Sequence, residues 1–191
     1  MFGPLPMDPA QLLKELILGL KEHNGGKTWT GGGNKIWTDA VKLSLKKIGE
    51  RRSAFIQCYY TKAEPDMQEF LLDLVWWDKD GVEGVSLACE CEWQYAPFTD
   101  SEAYANAVGA DFGKLLVFKA PLKLMIFASS LESPHIEELV VTEINRYLDS
   151  YKHHVVGETY LVLDFAPKPK AWIAKIDQNG ATHPELSAFE I

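Results

Sequence analysis

The chain has 191 residues, 47% hydrophobic and 24% charged. That is enough to close a core without disulfides or a structural metal, and it excludes disordered, collagen-like and coiled-coil chains. Its 19 Lys and Arg against 27 Asp and Glu give a formal charge of −8, which argues against a protein whose main work is to coat nucleic acid but leaves open an enzyme that holds divalent cations on carboxylates.

The three cysteines, Cys58, Cys89 and Cys91, include no zinc-type C-x-x-C knuckle and fit a reducing cytoplasm. Residues 1–9 lack the basic and apolar regions of a secretory leader, and no apolar run approaches the roughly 18 residues of a membrane span. The expectation is one soluble cytoplasmic domain over 1–191, with no membrane partner.

In chain order, Asp8 is expected to cap a helix that opens with Pro9, buries Leu12, Leu13, Leu16, Ile17 and Leu20, and ends near His23. Residues 24–34 hold five glycines and read as a loop. Gly25-Gly26-Lys27-Thr28 lacks the earlier glycine and preceding strand of a phosphate loop, and Trp29 and Trp37 read as core anchors. Thr38 is expected to cap a second helix with Val41, Leu45 and Ile48 inward and Lys42, Lys46 and Lys47 mostly outward.

From Ser53 the period changes from 3.6 to 2, and three strands are predicted at 53–61, 69–78 and 82–93. The sequence Asp78-Lys79-Asp80-Gly81 joins the last two as an antiparallel hairpin. Thr99 with Glu102 predicts a capping box for a helix over 100–119, which Pro121 stops. Residues 122–128 read as a strand buried on both faces. A helix from Ser133-Pro134 to about Tyr151 follows, then strands at 158–165 and 171–176 with an Asn179-Gly180 turn. The order αα-βββ-α-β-α-ββ predicts an α/β (α+β) fold, a mixed sheet with helices packed on it.

Chemistry concentrates in Leu71-Leu72-Asp73-Leu74-Val75 and Leu87-Ala88-Cys89-Glu90-Cys91-Glu92-Trp93. On a strand Glu90 and Glu92 share one face, and Cys89, Cys91 and Trp93 the other. Asp73 is expected mid-strand. Carboxylates set into apolar strands carry a desolvation cost that a shared divalent cation offsets, and hairpin neighbours bring Asp73 and Glu90 together.

With these residues in this order the chain resembles the PD-(D/E)xK nuclease superfamily over about 38–129. The resemblance implies a restriction-endonuclease-like αβββαβ core, an N-terminal helix with a glycine-rich loop (8–34) and a C-terminal α-β-β extension (130–191). It further implies Mg²⁺ or Mn²⁺ held by Asp73, Glu90 and the Cys91 carbonyl, phosphodiester hydrolysis of nucleic acid, and a homodimer as one assembly. Glu92 stands where the family usually has Lys, so either Glu92 or Lys114, from Asp111-Phe112-Gly113-Lys114, takes over the positioning of the attacking water. The alternatives are a catalytically inactive binding or assembly module of the same fold, and an unrelated cytosolic ligand-binding α+β protein. The residues also admit a bland reading in which Asp73 is satisfied by backbone or Lys42, and Glu90 and Glu92 line a wet sheet face. His153-His154 is a poor chelate and reads as a surface turn, and Cys89 and Cys91 read as buried thiols.

Overall fold

The computed structural model describes residues 7–23, 25–26, 34–52, 54–58, 71–78, 84–93, 100–129, 135–166, 168–177 and 185–191. Trp29, residues 27–28 of the glycine loop, the 79–81 turn, Thr99, Ser133-Pro134 and the Asn179-Gly180 turn lie outside them.

Helix α1 (Pro9–His23) starts as its sequence requires, with the Gln11 N–H donating to Asp8 Oδ2 at 3.0 Å. Helix α2 (Asn34–Glu50) starts four residues before the expected cap. The physical reason is Trp37, a core residue packed against Trp93 and Phe165 with ring centroids 6.0 and 5.6 Å away. Thr38 therefore sits inside the helix, where its hydroxyl accepts from Trp93 Nε1 at 3.0 Å. Val41, Leu45 and Ile48 face inward as predicted, but Lys42 does too and is buried.

Among the described residues seven strands form one open mixed sheet in the order β1 (Phe55–Cys58), β2 (Leu74–Trp77), β3 (Val85–Trp93), β4 (Leu122–Ala128), β5 (Thr159–Asp164), β6 (Lys170–Lys175), β7 (Ser187–Phe189). The β3, β4 and β5 neighbours pair in parallel and all others antiparallel. Parallel neighbours need a crossover. Helices α3 (Ser101–Val117) and α4 (Ile136–Ser150) supply the two, packing on one face of the sheet, while α1 and α2 cover the other. This is the expected fold class, with β7 as an added edge strand.

The α3 cap is Asp100, whose Oδ1 accepts the Glu102 N–H at 2.9 Å, in place of the Thr99 expected from the capping box. Asp100→Ala is expected to cost about 1 kcal/mol, seen as a lower urea midpoint at unchanged slope. Helices α3 and α4 approach closely. A methyl group on Gly109 would lie 2.7 Å from Glu143 Cγ and 2.9 Å from the Tyr147 ring, so only glycine fits there without displacement.

Candidate functional site

Strand β3 divides its side chains as its alternation predicts. Cys89, Cys91 and Trp93 pack under α1 and α2, while Glu90 and Glu92 face α3. Both thiols are pushed up by burial first and then by the Asp73 charge, as expected of inert core cysteines.

Glu90 is the anomaly. Its side chain is 4% exposed, and its Oε1 lies 3.5 Å from Lys114 Nζ, an ion-pair separation. That oxygen has no hydrogen-bond partner among the described residues. Burial first, then the Asp73 charge, raise its pKa to about 9, against the pull of Lys114, so at neutral pH the buried group carries a proton.

Lys114 links Glu90 to Asp111, which the sequence offers only as a neighbour one turn away on the helix, with no role of its own. Its ammonium lies 2.7 Å from Asp111 Oδ1, one turn back on α3. Burial works against the Lys114 charge, but Asp111 and Glu90 outweigh it and raise its pKa. Asp111 is also hydrogen-bonded to Glu92, whose pKa burial and that contact push up to about 7. Two carboxyl groups in hydrogen-bond contact must share a proton. The available signal for Asp111 was its i, i+3 spacing from Lys114, which puts both on one helix face.

Asp73 stands one step before β2 rather than mid-strand, which corrects the expectation. The reason is a substitution of side chain for backbone. Its Oδ2 takes the Cys91 N–H at 3.0 Å and lies 3.1 Å from the Cys91 thiol, capping the edge of β3 where ladder pairing with β2 stops at Leu74–Cys89. The next step of that register sets Asp73 opposite Glu90. In extended backbone a residue's N–H and C=O point the same way, so the Cys91 carbonyl opens on this edge as well.

The other oxygen, Asp73 Oδ1, lies 3.1 Å from Lys42 Nζ. Of the two bland partners for Asp73, backbone and Lys42, the molecule uses both. Lys42 overturns the expectation that it faces outward. Its signal was its place in the inward stripe Thr38, Val41, Leu45, where i+3 and i+4 neighbours share a helix face.

A second polar cluster lies among the N-terminal ends of β4 and β5 and the segment before β5. Lys123 is fully buried, although 122–128 reads almost as an unbroken apolar run. Its ammonium donates to Glu158 Oε1 at 2.7 Å and Tyr160 Oη at 3.1 Å, while the Tyr160 hydroxyl donates to Glu158 Oε2 at 2.7 Å. His154, expected in a surface turn, is instead tied at 3.1 Å to Tyr160 Oη and at 2.9 Å to the Leu148 carbonyl. Every one of these groups is satisfied, the mark of a structural network. At the opposite end of β5, Asp164 accepts from Ser129 N and Oγ at 2.9 and 2.5 Å. Burial raises its pKa to about 6 against those bonds.

Among the described residues no group of three His, Cys, Asp or Glu side chains is arranged to hold a metal ion, and no helix is long and apolar enough to cross a membrane. The carboxylates are tied to Lys42, Lys114, the Cys91 N–H and one another. In donor chemistry they still suit a hard cation, being oxygen ligands, one of which, the buried Glu90 Oε1, has only the 3.5 Å approach of Lys114 among the described residues. No protein-family profile, curated protein or solved structure matches the chain.

Proposed function

We propose that the chain is a metal-dependent nuclease of the PD-(D/E)xK kind, hydrolysing phosphodiester bonds of nucleic acid. The observation that carries this reading is the buried Oε1 of Glu90 on β3, which among the described residues has only the 3.5 Å ion-pair approach of Lys114, across from Asp73 at the head of β2. A buried carboxyl group with an oxygen so poorly satisfied is costly to the fold, and a divalent cation offsets that cost. The order α2-β1-β2-β3-α3-β4 supports the same assignment.

Asp73, Glu90 and the Cys91 carbonyl would hold Mg²⁺ or Mn²⁺, which would supply Lewis-acid stabilisation of negative charge on the phosphate. The chain's own residues divide the remaining work. Glu92, with a pKa near 7, suits a carboxylate that accepts a proton from water at neutral pH. Lys114 stays charged beside Asp111 and Glu90 and so orients or neutralises rather than acting as a base. Asp111 fixes the direction of both.

Calorimetric titration of Mn²⁺ and Mg²⁺ into the wild type and Asp73→Ala tests the proposal. The expected result is saturable wild-type binding that the variant loses, followed by metal-dependent cleavage of labelled oligonucleotides. A wild type that binds neither ion at millimolar concentration and cleaves nothing overturns it. The Lys42–Asp73 pair favours a second reading, an inactive module of the same fold whose acids are neutralised internally; saturable metal binding without cleavage of DNA or RNA would select it.

A further inference from the structure

Lys42 reaches the site from the opposite side to Lys114. It projects from α2, in the layer that covers the thiol face of β3, and its side chain is 9% exposed. Asp73 is approached from that layer, one step before the start of β2. Its two oxygens are both engaged, Oδ1 by the Lys42 ammonium at 3.1 Å and Oδ2 by the Cys91 N–H at 3.0 Å. Glu90, one register step away, has an oxygen with no hydrogen bond among the described residues, its Lys114 partner standing off at 3.5 Å. Each acid therefore faces a lysine, but the two are unequal: Lys42 lies closer to its acid and is nearly buried, whereas Lys114 stands 3.5 Å from Glu90 with 45% of its side chain exposed.

We propose that Lys42 is a tethered stand-in cation, which neutralises Asp73 while the site is empty and competes with a divalent ion for its Oδ1. The inference rests on the carboxylate reading of the site and adds a control to it. An ammonium fixed to a helix holds the partly buried Asp73 carboxylate in place at the sheet edge, where removing its partner would be costly. The same ammonium repels an incoming cation at close range and in a poorly screened setting. Binding of the ion and the Lys42–Asp73 contact are then alternatives, so intrinsic affinity is held down and the ion binds well only when substrate phosphates add their ligands.

The test uses the full chain, with Mn²⁺ as the probe. Mn²⁺ affinity by calorimetry and melting temperature with and without Mn²⁺ are compared for the wild type, Lys42→Met, Lys42→Gln and Lys42→Arg. The methionine fills the same volume without charge, and the glutamine retains a donor for Asp73 if methionine prevents folding. Both neutral variants are expected to melt lower without metal, to bind Mn²⁺ roughly tenfold tighter and to show a larger rise in melting temperature on adding it. Lys42→Arg is expected to stay near the wild type. A wild type that binds Mn²⁺ while the folded neutral variants bind it no tighter, or more weakly, overturns the stand-in role and leaves the carboxylate site intact. Absence of binding in every variant removes both. Neutral variants that bind when the wild type does not establish the competition directly.

Discussion

Glu90→Gln is expected to leave stability unchanged near pH 4 and to raise it progressively as the pH rises towards 8. Glutamine has the shape and neutrality of the protonated acid that the folded protein holds. The folded protein keeps the Glu90 proton up to about pH 9, whereas an unperturbed glutamate loses it near 4.5. Between those values the folded state binds the extra proton, so unfolding releases it and wild-type stability falls with rising pH. The slope is up to about 1.4 kcal/mol per pH unit, and the gain of the variant over wild type at pH 7 reaches about 3 kcal/mol as an upper bound. Urea denaturation of both proteins at pH 4, 6 and 8 measures it. Equal stabilities at pH 8 would mean that Glu90 ionises without cost, and the case for a strained carboxylate would be lost.

Lys123→Met should act in the opposite direction and more strongly. It leaves Glu158 buried without its ammonium, and removing one partner of a buried pair costs about 3–5 kcal/mol. Burial alone would raise the Glu158 pKa, but His154, Lys123 and Tyr160 together hold it below its ordinary value. The network therefore contains a charge that needs its partner. The double variant Lys123→Met with Glu158→Gln should recover much of the loss, because it removes both charges. Chemical denaturation of the two singles and the double closes the cycle; simple additivity would show that the two side chains act independently.

Much of this was legible in the sequence, and the parts that were not share a cause. The helix faces of α1 and α3, the β2–β3 hairpin and the split of β3 into thiol and carboxyl faces all follow from periodicity within a few residues. Lys42 and Lys123 do not, because what makes each tolerable inside the core is a carboxylate 31 or 35 positions away in the chain, Asp73 and Glu158 respectively. Periodicity can show that a lysine falls on an inward stripe but not that a counter-ion awaits it. Asp73 was recognised, yet its place was not, since a side chain that replaces a strand's backbone partner looks like one more strand residue. Strand β7 went unread because Ser187-Ala188-Phe189 is too short to display an alternation.

The glycine contact between α3 and α4 reaches beyond packing. Gly109 and Gly113 present bare backbone to Tyr147, while Asp111 and Lys114 lie between and just after them in the chain. With no side chain as a cushion, a displacement of α4 passes almost undiminished into the helix that carries these two charged groups. A change at Tyr147 or Glu143 is thus expected to shift the aim of Lys114 from the far side of α3.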